Sequence, residues 1–249
     1  MIDTHCHIEK EEYDKIEDII LECKKKNIEK IIVSGYDLES SKEAIYLANK
    51  YEMIYATIGF LPEILEKNKY DINILEKLLK NKKVIGIGEI GLDYHWYKNN
   101  KEEQKELFIQ QILLAKKYNL PIVIHCRDAI QDCYDILKKY NVKKATMHCY
   151  SGSLEMAKNF INLGIYISIG GVSTFKNSKN IKEVIKEIPL SYILLETDSP
   201  YLTPEPFRGK KNYPYYLDNI ALNIAKIKEI SIEEVINITK DNTNKLFDF

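Results

Sequence analysis

Eight short apolar runs, rich in Ile, Val and other strand-favouring residues, recur along the chain at 2–7, 29–35, 53–60, 84–90, 121–126, 144–149, 164–170 and 192–197. Amphipathic stretches of helical period separate them. The clearest covers 101–118, where Phe108, Ile112 and Ala115 recur at i, i+4 and i+7 among Lys, Glu and Gln. Others fall near 11–26, 39–51, 71–80, 129–139, 153–162 and 178–187. Strands alternating with helices make βαβ units, and such units build a parallel sheet. Eight of them predict an α/β protein with a closed (β/α)8 TIM barrel, because an open doubly wound sheet more often has about five or six strands. After the eighth run, a Pro- and Tyr-rich loop at 199–216 leads to helices near 217–229 and 232–247. Ser231 and Glu234 are spaced as a capping box opening the second of these. The length of 249 residues suits one barrel, and no linker or low-complexity tract divides it, so residues 1–249 are expected to form a single domain.

Four of the five histidines stand where an apolar run ends: His5, His7, His125 and His148. Glu89 and Asp198 end two more runs. Neighbouring strands of one barrel would bring all six to one mouth. Residues i and i+2 of a strand share a face. His5 and His7 are therefore expected inside the barrel, with Cys6, Cys126 and Cys149 facing the helical layer as packing residues. Taken singly, each histidine or carboxylate reads as an ordinary core or surface group. Taken together they do not. Glu89 and Asp198 would be costly to bury unpaired, and their runs contain no Lys or Arg to neutralise them. Divalent cations would. Four imidazoles and two carboxylates are too many ligands for one tetrahedral zinc and suit a two-metal site.

Composition removes other classes. Lys+Arg 36 against Asp+Glu 37 leaves no global basic field to draw the protein onto nucleic acid or an anionic membrane. A polyanionic substrate would have to be held locally. Five cysteines without Cys-x-x-Cys spacing predict reduced thiols in a cytoplasmic protein. No signal pattern and no apolar run of roughly 20 residues predicts export or a membrane span, and nothing calls for an obligate protein partner.

Five motifs carry a resemblance. They are Asp3-Thr4-His5-Cys6-His7, Gly86-Ile87-Gly88-Glu89-Ile90-Gly91-Leu92-Asp93-Tyr94, Pro121-x-x-x-His125-x-Arg127, His148-Cys149-Tyr150-Ser151-Gly152 and Glu196-Thr197-Asp198-Ser199-Pro200-Tyr201-Leu202. Together with Arg208-Gly209-Lys210-x-Asn212 they resemble the TatD family of metal-dependent deoxyribonucleases, within the wider metal-dependent hydrolase barrels, over essentially the whole chain. The resemblance implies that His5, His7 and Asp198 hold one divalent cation and His125 and His148 another, with Glu89 bridging. It implies phosphodiester hydrolysis, as a deoxyribonuclease acting exonucleolytically on single-stranded DNA ends, with Glu89 and Asp198 as the catalytic carboxylates. Asp198 would also orient or deprotonate the attacking water. Imidazoles favour zinc, whereas oxygen-rich substrates admit magnesium or manganese. The same metals would serve ester or amide hydrolysis, such as D-aminoacyl-tRNA deacylation. A non-catalytic nucleic-acid-binding protein is a third reading, against which the complete ligand set argues.

Substrate contacts are expected around the metals. Arg127 lies two residues beyond His125 and reads either as a phosphate clamp or as an ion-pair partner of Asp93 or Asp128. His95, in the loop after the fourth strand, reads either as an exposed loop histidine or, because the loop adjoins Glu89, as a phosphate or supporting contact. Arg208 and Asn212, in the loop 199–216 with its aromatics, are expected by resemblance to touch substrate, the alternative being a solvated loop. Leu61 and Glu63 stand where family members commonly carry two histidines, which predicts an altered substrate preference or a reduced nuclease rate.

Overall fold

The computed structural model describes residues 1–67 and 70–249. Eight parallel strands form one sheet in chain order: β1 (Ile2–Cys6), β2 (Lys30–Ser34), β3 (Ile54–Ile58), β4 (Val84–Asp93), β5 (Ile122–Arg127), β6 (Ala145–Met147), β7 (Tyr166–Ile169) and β8 (Ile193–Leu195). Among the described residues ten α-helices accompany them: α1 (Ile16–Lys25), α2 (Leu38–Lys50), α3 (Ile64–Lys67), α4 (Ile72–Leu78), α5 (Lys101–Lys117), α6 (Ile130–Lys139), α7 (Leu154–Asn162), α8 (Lys179–Glu187), α9 (Leu217–Lys228) and α10 (Ile232–Phe247). This is a (β/α)8 barrel.

The seam between β8 and β1 is closed at its upper end. Asp198 N–H donates to the His5 carbonyl at 3.0 Å, and His7 N–H to the Ser199 carbonyl at 2.7 Å. Side chains stitch the rest. Thr197 donates to the buried Asp3 carboxylate from its N–H at 2.9 Å and from its hydroxyl at 2.6 Å, and Thr4 Oγ1 donates to the Leu195 carbonyl at 2.8 Å. Closure thus holds the first and last ligand-bearing strands in register.

Local chemistry explains the helix starts. Asp37 and Ser40 form a reciprocal capping box on α2, which the sequence reading missed. At α10, Ser231 accepts from Glu234 N–H at 3.1 Å, but the return bond of the expected box is not made among the described residues. Helix α5 carries Glu102 and Glu103 in its first turn and Lys116 and Lys117 in its last, as the helix dipole favours.

Two apolar clusters fill the protein. The larger packs the outer face of the sheet against the helices, with Phe108, Ile112 and Phe160 fully buried in it. The smaller lies inside the barrel: Ile32, Val123 and Leu194 meet Leu246 and Phe247 from the end of α10. Burying those two α10 side chains contributes roughly 1.5–3 kcal/mol each. The bottom of the barrel is sealed by carbon, which leaves polar side chains the upper half. Strand β4 runs three residues past its expected end, to Asp93, with a register irregularity between Ile87 and Ile90. Helix α3 was not expected, and α1 begins only at Ile16. Among the described residues no helix is long and apolar enough to cross a membrane.

Candidate metal centre

The strand ends bring all six expected ligands to one place. His5 and His7 present their Nε2 atoms 3.1 Å apart. Glu89 Oε2 lies 3.4 Å from the first and 3.5 Å from the second, and Asp198 Oδ1 lies 3.7 Å from each. The other oxygen of Glu89 faces the opposite way, 2.9 Å from His125 Nδ1 and 3.6 Å from His148 Nε2. Three groupings therefore have mutually close donor atoms: His5, His7 and Glu89; Glu89, His125 and His148; His5, His148 and Asp198. Glu89 belongs to the first two, one oxygen to each.

The ring orientations are held from behind. His7 Nδ1 lies 3.0 Å from the Ser34 carbonyl, which can only accept, so that nitrogen carries the proton and Nε2 offers a lone pair. His148 Nδ1 faces the buried Glu196 carboxylate at 3.3 Å, and His125 Nε2 faces Asp93 at 3.1 Å. Each carboxylate makes its near nitrogen the donor and turns the other nitrogen to the centre. His5 Nδ1 meets Ser34 Oγ at 3.0 Å. Such supporting hydrogen bonds fix the tautomer of a metal-ligating histidine.

The electrostatics fit a cation. Four carboxylates, Glu89, Asp93, Glu196 and Asp198, crowd the cluster. Burial works against charging His148, yet Glu196, Glu89 and Asp198 outweigh it and raise its pKa to about 10. His125 behaves alike: burial opposes its charge, and Asp93 and Glu89 carry it up to about 9. Burial lowers His7 to about 4 and raises Asp198 to about 6. Burial also raises Glu89, but His148, His5 and His125 together hold it well below the usual carboxylate range. Protein groups alone answer the negative charge with protons on imidazoles. A divalent ion answers it without them, and the nitrogen and oxygen donor set is the kind such ions accept.

The backbone here is locally constrained. Asp198, Cys149 and Asp128 adopt positive φ of 55°, 44° and 53°, a region uncommon outside glycine and concentrated at functional sites. Above the ligands opens a cavity of about 520 Å³ lined by Glu89, His7, His125, His148 and Asp198.

A family model described as TatD related DNase matches residues 2–248. The chain belongs to the TatD family. It is 44% identical over 251 residues to YabD of Bacillus subtilis, named as a metal-dependent hydrolase, covering 99% of this chain and 98% of that one. A relative from Methanocaldococcus jannaschii, also named as a metal-dependent hydrolase, is 37% identical over 249 residues, covering 99% of this chain and 96% of the other. The crystal structure of YjjV, a TatD homologue from Escherichia coli K12, superposes with a TM-score of 0.91 at 30% identity, covering 100% of this chain and 98% of that one. This TatD-family protein is a metal-dependent hydrolase.

The TatD-family motifs are not all placed as expected. Arg127 lines the cavity, and both carboxylates weighed as its partners are engaged elsewhere, Asp93 with His125 and Asp128 with His95. The cavity lining also includes Leu61 and Glu63. His95 does not line it; the ring meets Asp128 at 3.1 Å and Trp96 edge-on. Arg208 stacks over Phe175 at 4.1 Å, outside the cavity lining. Asn212 is a correction. Its side chain is buried, donating to the carbonyls of Thr197 at 2.8 Å and Tyr201 at 2.6 Å, so it clamps the loop carrying Asp198 and is withheld from substrate. Four of the loop's aromatics pack on one another, Phe207 on Tyr216 and Tyr213 on Tyr215, whereas Tyr201 lines the cavity. The sequence reading assigned no role to Ser34, Glu196 or Trp96, and weighed Asp93 only as an ion-pair partner of Arg127. A signal existed for Glu196, a carboxylate at the end of the eighth apolar run and two residues before Asp198, just beyond β8.

Proposed function

We propose that this hydrolase cleaves phosphodiester bonds, acting as an exonuclease on single-stranded DNA ends with two divalent cations, zinc, magnesium or manganese. The observation that carries this reading is Arg127. Its guanidinium shares a cavity with five of the six ligands, His5 lying buried beneath them, and makes no ion pair among the described residues. A planar fork of donors beside a cation site suits a phosphate diester, which offers two non-bridging oxygens. The two-sided Glu89 supports assigning His5, His7 and Asp198 to one ion, His125 and His148 to the other, and Glu89 to both.

When bound, divalent cations supply charge against the phosphate oxygens and acidify water. The chain's own groups do the rest. Arg127 orients the phosphate. Asp198, on the cavity wall, orients the attacking water and accepts its proton. Ser34, Glu196 and Asp93 keep the imidazoles aimed. Five free thiols fit a cytoplasmic setting.

The test uses chelator-stripped protein with zinc, manganese or magnesium added back. Metal-dependent loss of nucleotides from end-labelled single-stranded DNA supports the reading. Release of only the amino acid from a D-aminoacyl-tRNA would replace it with the deacylase. Tight binding without turnover of either would leave a binding protein. His125→Ala combined with His148→Ala is expected to abolish metal-dependent turnover, and full activity in that variant would sink the ligand assignment. Histidines restored at Leu61 and Glu63 are expected to change kinetics on a phosphodiester.

A further inference from the structure

The loop after β4 holds the chain's single tryptophan in an unusual position. Trp96 is 65% exposed, although it lines the cavity that contains Glu89 and His125. Large indoles are ordinarily buried where they can be. This one is not exposed through slackness. The backbone N–H of Trp96 donates to Asp93 Oδ1 at 2.9 Å, as does that of His95, so the carboxylate that orients His125 also caps the turn carrying Trp96. Buried Gln104 ties down the two ends of the turn, accepting from Asp93 N–H at 2.8 Å and donating to the Tyr97 carbonyl at 2.6 Å. The backbone that carries the indole is thus held in register with the support of His125. The Arg127 guanidinium lies 5.4 Å from its ring.

We propose that Trp96 is a stacking platform for an unpaired terminal base of single-stranded nucleic acid, whose phosphate lies between Arg127 and the metal ligands. The inference rests on the phosphodiesterase reading and deepens it by naming how the substrate is recognised. A base inside a duplex has both faces covered by its neighbours, whereas an unpaired terminal base offers one to the indole. Stacking is tolerant of sequence because every base has a π-face. An exposed indole beside a guanidinium that makes no ion pair among the described residues matches a nucleotide's two parts, an aromatic plane and an anion. On another part of the lining, Tyr36 and Tyr201 stand edge-on to His7 at 5.6 and 6.2 Å, so aromatic surface also flanks the other ligand group.

The sole tryptophan reports directly on the proposal. Metal-loaded protein is mixed with short oligothymidylate in a stopped-flow fluorimeter, then with the same oligonucleotide lacking its terminal base, then with inorganic phosphate. Oligothymidylate is expected to quench the emission, and the other two to quench it much less. In steady state, removing the terminal base is expected to raise KM about 5- to 100-fold with little change in kcat. Trp96→Ala is expected to erase that base-dependent difference, and Trp96→Phe to keep most of it. Equal quenching by phosphate, or a base penalty that survives in Trp96→Ala, overturns the proposal. Cleavage without quenching or base dependence overturns the platform and leaves the phosphodiesterase standing. Base-dependent quenching without cleavage supports the platform and removes the nuclease.

Discussion

Gln104 offers the sharpest test of how this site is held. It lies on α5, fully buried, four residues before Phe108 on the same helical stripe. Its carbonyl accepts from Asp93 N–H at 2.8 Å, and its amide faces the Asp93 carbonyl at 3.0 Å, the Tyr97 carbonyl at 2.6 Å and Asn100 Oδ1 at 2.8 Å. Gln104→Leu keeps the volume and removes every one of these bonds. Tyr97 and Asn100 are half-buried and can turn to water. Asp93 is buried and cannot. Its N–H and C=O are left unpaired at about 1–3 kcal/mol each, so after partial relaxation the loss should be about 2–4 kcal/mol. For a chain of this size that lowers Tm by about 5–15 °C. Circular dichroism melts and urea titrations measure it, with the exposed neighbour Gln110→Leu as a control expected within about 0.5 kcal/mol of the parent. If Gln104→Leu matched that control, buried polar satisfaction would not be what fixes the loop.

Other perturbations probe the centre from different directions. Gly91 has φ +151°, and a Cβ there would stand 1.9 Å from the His125 carbonyl oxygen; Gly91→Ala should cost roughly 3 kcal/mol or more in urea unfolding, and a near-neutral result would contradict the geometry. Glu196→Gln keeps the shape but weakens the hold on His148 and on Cys149 N–H, which donates to Glu196 at 2.6 Å. Metal affinity, measured against a chromophoric chelator, should fall about 10- to 100-fold, and an unchanged affinity would remove Glu196 from the positioning set. Asp132 is held below the ordinary carboxylate range by the Tyr94 hydroxyl at 2.6 Å and by Lys105. A depressed carboxylate stabilises above its unfolded pKa of about 3.9 and loses that contribution as pH falls through the folded value. Partly exposed, it should contribute no more than about 1 kcal/mol, seen as an acid-side loss of urea midpoint that Asp132→Asn flattens.

What could be read from the sequence follows the physics of each element. Strand ends carrying His5, His7, His125 and His148 were legible because period-two alternation assigns a face without knowing the partner. Glu196, two residues before Asp198 and just beyond β8, ends the same apolar run, and its buried carboxylate faces His148 from behind. Boundaries were less legible. Strand β6 is three residues long where six were expected, and β4 is ten where seven were expected, because an apolar run does not record where ladder bonds stop. The Arg208 and Asn212 expectations came from motif resemblance alone. Nothing in the sequence says that the Asn212 amide is spent on carbonyls 11 and 15 residues earlier.

Helix α5 shows a deeper limit. Its apolar stripe of Phe108, Ile112 and Ala115, set among Lys, Glu and Gln, predicted the helix. Gln104 and Gln111 are buried alongside that stripe, seven residues apart. Gln104 holds the loop after β4. Gln111 accepts from Phe60 N–H at 2.8 Å and donates to the Phe60 carbonyl at 2.9 Å, holding the loop after β3 beside Leu61. A barrel must open its mouth to substrate, so the loops there cannot be fixed by apolar burial alone. Long amides reaching out of the helical layer supply the missing partners for loop backbone. Two such amides at a two-turn spacing within an apolar stripe are therefore a readable sign of loops that have to be held still, and in this chain one of those loops carries the only tryptophan at the metal cavity.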